Sequence, residues 1–98
     1  MPKLIIFSDS PTEFTIEVGS TSIGRDKSND ISLNDSSISK QHALITYQIM
    51  AGGQRNIILT DLHSTNGTYV NGKMATYHNL KDNDQLSIGQ VHCAYIDE

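Results

Sequence analysis

Short runs of branched and aromatic residues, separated by turn-forming residues, dominate this chain of 98 residues. No long window places apolar residues at helical spacing, whereas Ile, Val, Leu, Thr and Tyr recur in segments of strand length. These segments predict strands at residues 3–7, 13–18, 21–23, 31–33, 43–50, 56–61, 68–70, 85–88 and 91–96. Many short strands favour a sandwich of two antiparallel sheets with about 9–11 strands. The predicted fold class is all-β.

Turn signals and polar segments lie between the predicted strands. Residues 51–54 contain a Gly-Gly pair, and residues 71–72 are the Asn-Gly pair that a type I′ hairpin turn favours. Three segments crowded with Ser, Asn, Asp, Thr and Gly are predicted to be loops: 26–30, 34–41 and 63–67. Binding residues tend to lie on loops of a rigid scaffold, so we expect these loops at one end of the sandwich to carry the function.

Length and composition fit one domain that covers residues 1–98. The chain is 37% apolar and 18% charged, which is typical of a globular protein with one core. No apolar stretch approaches the length of about 20 residues that crosses a bilayer, and none resembles a signal peptide. Cys93 is the single cysteine, so an internal disulfide is impossible. We expect a cytoplasmic protein, or a nuclear one if the source is eukaryotic, without membrane association.

The charge distribution bears on the class of ligand. A net charge of −4 argues against a nucleic-acid binder, because such proteins contact phosphates through many Lys and Arg side chains. Residues 36–81 nevertheless carry a net charge of +3, with Asp61 as their single acidic residue, and the flanking portions together carry −7. An anion is therefore tolerated in the middle of the chain. A chance distribution of charge over a solvated surface explains this pattern equally well.

Three motifs stand in a fixed order within the predicted loops. They are Gly24-Arg25, then Ser39-Lys40-Gln41-His42, then Ser64-Thr65-Asn66-Gly67-Thr68, which Val70-Asn71-Gly72 follows. Together, over residues 22–88, they resemble the signature of the forkhead-associated (FHA) domain. The resemblance implies a β-sandwich that binds phosphothreonine-containing segments of partner proteins in Ser/Thr kinase signalling, without a cofactor and without catalysis. A phosphorylation-independent interaction scaffold with the same fold is the alternative.

The residues of the first two motifs suit phosphate chemistry. A phosphothreonine carries nearly two negative charges and three acceptor oxygens, so its site needs a fixed cation and several donors. Arg25 offers planar, paired N–H donors, and Ser39 offers a hydroxyl and its backbone N–H. An exposed ion pair with Asp26 or Asp30 explains Arg25 equally well from the residues alone.

Further binding roles follow from the resemblance. It implies that Lys40 and Thr65 lie near the phosphate and that the Asn66 carboxamide, which has both donor and acceptor groups, holds the peptide main chain. It also implies that Ser37 tunes the preference for the peptide residue three places after the phosphothreonine. A solvated Lys40 and a simple turn at Asn66-Gly67 remain open alternatives.

Other residues are expected to shape the site rather than contact the ligand. The residues expected to set the backbone there are Gly24, Gly67, Asn71 and Gly72. His42 follows Ser39 by three positions, but no third group is evident to orient the ring as a catalytic base, and the resemblance implies a histidine that fixes the loop. The four histidines lack the close spacing of a zinc site, so no metal is expected.

Overall fold

The computed structural model describes residues 1–8 and 10–97, in which eleven strands alternate with turns and loops and no helix occurs. The strands are β1 (Pro2–Phe7), β2 (Thr12–Thr15), β3 (Gly19–Gly24), β4 (Ile31–Ser32), β5 (Ala43–Ile49), β6 (Arg55–Asp61), β7 (Thr68–Val70), β8 (Lys73–Met74), β9 (Tyr77–Asn79), β10 (Gln85–Ile88) and β11 (Val91–Asp97). No helix in this part of the chain is long and apolar enough to cross a membrane.

The strands form two sheets. One has six strands in the order β2-β1-β11-β10-β7-β8, and the other has five in the order β4-β3-β5-β6-β9. Every neighbouring pair is antiparallel except β3 and β4, which run parallel where Ile23 faces Ile31. The predicted all-β sandwich is confirmed, with this one parallel pair as a departure.

Two strands, β8 and β9, were not predicted from the sequence. They contain two and three residues, and all but one of their side chains are exposed. Such short exposed strands lack the alternation of apolar and polar residues that identifies a half-buried strand. Each pairs on one side only and forms the edge of its sheet.

The core lies between the two sheets and is built by residues of alternating orientation. Along β5, Ala43, Ile45 and Tyr47 are buried, whereas the residues between them are only half-buried. Opposite them lie buried residues of the six-stranded sheet such as Leu86. Cys93 is also buried there, and burial raises the pKa of its thiol to about 12, so it packs as a small apolar side chain. This core holds the loops at each end in place.

The Asn71-Gly72 pair lies at the end of the sandwich opposite to the motif-bearing loops. Both residues have positive φ, 51° and 85°, as a type I′ turn requires. The Asn71 amide nitrogen donates to Asp84 Oδ1 at 2.9 Å, and the backbone N–H of Gln85 donates to Asn71 Oδ1 at 2.9 Å. The prediction that Asn71 and Gly72 shape the binding site is therefore wrong, because the antiparallel strand β7 carries the chain from one end to the other.

Candidate functional site

Two loops that meet at one end of the sandwich are tied together by hydrogen bonds. The backbone N–H of Arg25 donates to the Ser39 carbonyl at 2.9 Å, and that of Asp26 donates to the Lys40 carbonyl at 3.3 Å. The buried side chain of Asn29 reinforces the junction, since its Nδ2 donates to the carbonyls of Lys40 at 2.7 Å and Asp26 at 2.8 Å. Sequence reasoning missed Asn29, because Asn is common in any loop.

Gly24 is required by the close approach of these loops. A Cβ atom at this position would lie 2.2 Å from the Lys40 carbonyl oxygen and 2.6 Å from Asn29 Nδ2. The obstacle is largely backbone, which cannot move aside without breaking the junction. A glycine before Arg25 thus lets the two loops touch.

Arg25 presents most of its guanidinium to solvent. Its Nε donates to the Ile38 carbonyl at 3.0 Å, which orients the group, while the side chain remains exposed. Arg25 forms no ion pair with any residue in 1–8 or 10–97, and the carboxylates of Asp26 and Asp30 bond to nearby serine hydroxyls instead. The ion-pair interpretation of Arg25 therefore has no support in the structure.

His42 connects the second and third motifs from a fully buried position. The backbone N–H of Ser39 donates to His42 Nδ1 at 3.0 Å, so the ring proton lies on Nε2, which donates to the Gly67 carbonyl at 2.9 Å. Gly67 has a φ of 86°, in the left-handed region that favours glycine. Both ring nitrogens are occupied by backbone groups, so the imidazole is not available as a base for the Ser39 hydroxyl.

Ser39 has a donor that is free to bind a ligand, but only one. Its Oγ accepts a hydrogen bond from the backbone N–H of Thr65 at 3.0 Å, which leaves the hydroxyl proton to donate elsewhere. Its backbone N–H is already used by His42. The expectation that this N–H adds a second donor for phosphate is therefore wrong.

Lys40 and Arg25 border a surface hollow of about 360 Å³, called the cationic hollow below. Its lining residues are Arg25, Asp26, Lys27, Asn34 and Lys40. Lys40 is exposed, and its ammonium group makes no ion pair within residues 1–8 and 10–97.

Thr65 and Asn66 line a different hollow of about 310 Å³, called the Asn66 hollow below. Both side chains are exposed. The Asn66 amide nitrogen donates to the Ser37 carbonyl at 2.8 Å, which leaves its Oδ1 open to solvent. Ser39 bonds to one lining residue of each hollow, because its carbonyl accepts from the Arg25 N–H and its Oγ accepts from the Thr65 N–H.

Ser37 does not present its hydroxyl to a ligand. Its Oγ donates to Asp35 Oδ1 at 2.6 Å and accepts from the backbone N–H of Gln90 at 2.9 Å. The carbonyl of Ser37 accepts a hydrogen bond from the Asn66 amide nitrogen. It also lies so close to Gly89 that a side chain at that position would collide with it. The expected role of Ser37 in peptide preference has no support from its side chain, which instead ties two loops together.

Asp61 organises the third motif, and sequence reasoning missed it. Its carboxylate accepts hydrogen bonds from the Ser64 hydroxyl, from the Ser64 backbone N–H at 3.0 Å and from the Thr68 hydroxyl at 2.7 Å. Burial raises the pKa of this carboxyl, but the hydrogen bonds outweigh burial and the net pKa is lowered. Its place as the single acidic residue of 36–81 was the signal by which the sequence could have identified it.

Stability is expected to fall in acid, and the carboxylates of half-buried Asp61 and buried Asp84 are the cause. Burial raises the pKa of Asp84, but hydrogen bonds from the Lys81 backbone, Asn71 and His78 outweigh it, so its folded pKa also lies below the ordinary value of 3.8. As pH falls, the unfolded state therefore takes up protons before the folded state does. The stability that these two carboxylates contribute is complete above the ordinary pKa and is lost as pH falls through their folded pKa values.

Thermal melting at pH 6 and pH 3 measures this effect. The wild-type melting temperature is expected to drop by several degrees between the two, and Asp84→Asn is expected to lower the melting temperature at pH 6 while shrinking the drop. An equal drop in wild type and variant would contradict the assignment to Asp84.

The fold and the site define an all-β module whose loops expose cations and hydroxyls at one end. The family model for the FHA domain matches residues 21–89, and the chain belongs to this family. It is 31% identical to the glycogen accumulation regulator GarA of Mycolicibacterium smegmatis, over 87% of this chain and 51% of that protein. It is also 31% identical to the oxoglutarate dehydrogenase inhibitor of Corynebacterium diphtheriae, over 86% of this chain and 55% of that protein. The chain thus spans about half the length of these relatives.

Solved structures agree with this membership. A structure from a structural and functional analysis of phosphothreonine-dependent FHA domain interactions matches with a TM-score of 0.89 at 29% identity, over 99% of this chain and 96% of that chain. The FhaA FHA domain, crystallised in complex with the intracellular domain of Rv3910, matches with a TM-score of 0.87 at 29% identity. That match covers 97% of this chain and 99% of that chain.

Proposed function

We propose that this chain is a phosphopeptide-recognition module that binds phosphothreonine-containing segments of partner proteins marked by a Ser/Thr kinase. It acts as one domain over residues 1–98, in the cytoplasm, by binding rather than by catalysis. Similarity to a domain studied for phosphothreonine-dependent interactions supports the ligand class.

The observation that carries the proposal is the state of Arg25. One of its five N–H donors is used by the Ile38 carbonyl, and the remaining four have no acceptor within residues 1–8 and 10–97. A guanidinium that is fixed at one nitrogen and open at the others is preorganised for a phosphate, which accepts paired hydrogen bonds. The hydroxyl proton of Ser39 is free beside it.

The other predicted residues take roles that fit their positions. Lys40, which follows Ser39 in the chain, contributes a flexible cation, and Thr65, whose N–H bonds to Ser39 Oγ, contributes a hydroxyl. Asn66 offers its Oδ1 to a peptide N–H. His42, Gly24 and Gly67 contact no ligand and hold the loops in register.

Removal of the Lys40 ammonium is expected to have a small effect. Lys40→Ala should weaken binding of a phosphothreonine peptide about threefold to tenfold, because an exposed flexible cation contributes only modestly in water. Raising the salt concentration should weaken wild-type binding more than binding by the variant. Lys73 is an exposed lysine at the opposite end of the sandwich, so Lys73→Ala is the control. An equal loss of peptide affinity in both variants would contradict a local role for Lys40.

Capture from a lysate with and without phosphatase treatment tests the proposed function against a phosphorylation-independent scaffold. The wild-type chain is expected to retain partners only from the untreated lysate, and Arg25→Ala is expected to retain none. Equal capture from both lysates would support the scaffold instead.

A further inference from the structure

Another hollow lies on the open side of the sandwich, between the edge strands β8 and β9, and is called the edge hollow below. Its volume is about 380 Å³. The chain crosses from one sheet to the other between these strands: the Ala75 N–H donates to the Thr68 carbonyl at 2.8 Å, and the Asp61 N–H donates to the Thr76 carbonyl at 2.9 Å. Ala75 lines both the edge hollow and the Asn66 hollow, so this crossing separates the two.

Two exposed apolar side chains form the walls of the edge hollow. Met74 on β8 is 66% exposed, Tyr77 on β9 is 62% exposed, and buried Val70 lies at the floor. A single exposed apolar residue is normal on a protein surface, whereas several around one hollow mark a contact surface. A large apolar side chain placed between Met74 and Tyr77 would leave water on both sides.

Two lysines account for the positive charge of residues 36–81 that the other contacts leave unexplained. Of the four basic residues in this segment, Lys40 lines the cationic hollow and Arg55 pairs with Asp97. The other two are Lys73 and Lys81, which are both exposed. Neither forms an ion pair within residues 1–8 and 10–97.

These two lysines lie at the same end of the edge hollow. Lys73 lines the hollow and directly follows the Asn71-Gly72 turn. The backbone N–H of Lys81 and the Asn71 amide both donate to the carboxylate of Asp84, which places Lys81 beside that turn. None of the lining residues is acidic, and Asp84 already accepts hydrogen bonds at both oxygens. The free charge at the edge hollow is therefore positive, which is complementary to an acidic partner.

The imidazole of His78 offers a directed acceptor inside the edge hollow. Its Nε2 lies 3.0 Å from Asp84 Oδ2, and because a carboxylate only accepts, Nε2 carries the proton and donates. Nδ1 of the neutral ring is then an acceptor, and it has no partner in the part of the chain that the structure describes. The side chain is 33% exposed, so a backbone N–H of a bound segment can reach it.

We infer that the edge hollow is a second docking site, which takes an extended acidic segment of a partner protein with one large aliphatic or aromatic side chain. The apolar side chain lies between Met74 and Tyr77, an acidic group pairs with Lys73, and a backbone N–H donates to His78 Nδ1. An extended segment suits this place because β8 and β9 each have one unpaired edge. The contact needs no phosphate, so the inference does not rest on the proposed function.

A titration followed by nitrogen–proton correlation spectra tests the inference. The probe is a peptide of alternating glutamate and alanine with one central leucine, called the acidic leucine peptide. We expect saturable shifts in the backbone signals of residues 70–78, without shifts at Arg25 and Ser39. Replacement of the leucine by alanine should weaken binding about fivefold to tenfold, because partial burial of a leucine side chain is lost. Replacement of every glutamate by glutamine should weaken it about threefold or more.

Paired variants assign the contact to the edge hollow. Tyr77→Ser removes one wall and should weaken the acidic leucine peptide about fivefold, whereas Phe7→Ser, which removes an exposed aromatic ring from β1, should not. Lys73→Ala should weaken the acidic leucine peptide about threefold and leave a phosphothreonine peptide unaffected. Lys40→Ala should do the reverse. Thermal melting verifies that each variant is folded.

The outcomes separate this inference from the proposed function. If Arg25→Ala binds the acidic leucine peptide like wild type while Tyr77→Ser does not, the edge hollow is the docking site, whatever the phosphothreonine peptide does. If the acidic leucine peptide fails to bind, or binds wild type and Tyr77→Ser equally, the inference is overturned and the phosphothreonine proposal stands or falls on its own titration. If Arg25→Ala loses the acidic leucine peptide, that peptide occupies the phosphate site and the inference is wrong.

Sedimentation of the free chain excludes a different occupant. The chain is expected to remain monomeric at the concentrations of the titration. Self-association that Tyr77→Ser abolishes would show that the edge hollow is covered by a second copy of this chain, and the inference of an acidic partner segment would be overturned.

Discussion

Replacement of Arg25 by alanine is expected to weaken binding of a phosphothreonine peptide by about 100-fold or more. Charge-assisted hydrogen bonds contribute about 1.5–3 kcal/mol each, and loss of a paired set removes about 3 kcal/mol, which corresponds to about two factors of ten. Arg25→Lys should recover only part of this loss, because an ammonium group keeps the charge but lacks the planar pair of donors. Titration calorimetry of each variant measures the effect.

Arg55→Ala is the matched control, because Arg55 is the other arginine of the chain. Its Nη2 bonds both carboxylate oxygens of Asp97 at 2.9 Å, and it begins β6, whose first residues lie at the end opposite to the site. Its removal should lower the melting temperature modestly and leave peptide affinity unchanged. If Arg25→Ala and Arg55→Ala reduce affinity equally, the guanidinium of Arg25 is not the anchor.

Replacement of His42 by alanine is expected to cost stability and affinity together. The ring is fully buried, and its loss leaves the Ser39 N–H and the Gly67 carbonyl without their partners beside a cavity. Unpaired buried polar groups cost about 1–3 kcal/mol each, so a loss of about 3–5 kcal/mol and a melting temperature lower by roughly 15–25 °C are expected. Below the new melting temperature, affinity should still fall more than about tenfold because Ser39 and Thr65 lose their alignment.

His92→Ala provides the comparison for His42. His92 is exposed on β11, bonds Gln85 through its ring and stacks on Phe7. Its loss is expected to change stability by about 0.5 kcal/mol and affinity not at all. A His42→Ala protein that melts like wild type, or that binds the peptide with unchanged affinity, would contradict the role of His42 as the brace between loops.

The fold was predictable because its strands carry strong local signals. Strands such as β1 and β5 bury every second side chain, which the recurrence of Leu and Ile at alternate positions reveals. The edge strands β8 and β9 were not predictable, since two or three exposed residues form no pattern and their pairing depends on the neighbouring strand.

The candidate site was predictable only in part, because motif residues are visible in a sequence but their partners are not. The three motifs placed Arg25, Ser39 and Asn66 correctly on loops that meet at one end of the sandwich. Which atoms remain free depends on hydrogen bonds between distant segments, such as the one from the Thr65 N–H to Ser39 Oγ. Asn71 was misassigned because it closely follows the third motif in sequence, whereas strand β7 carries the chain away from that motif to the opposite end of the sandwich.

The central claim is tested most directly by one pair of titrations. The wild-type chain is titrated with two peptides that differ only by the phosphate on a central threonine, the sequence being taken from a phosphothreonine library that the chain itself selects. We expect the phosphorylated peptide to bind at least about 100-fold more tightly, because loss of the paired hydrogen bonds between Arg25 and the phosphate removes about 3 kcal/mol. Equal affinity for the two peptides would contradict phosphate recognition by this chain.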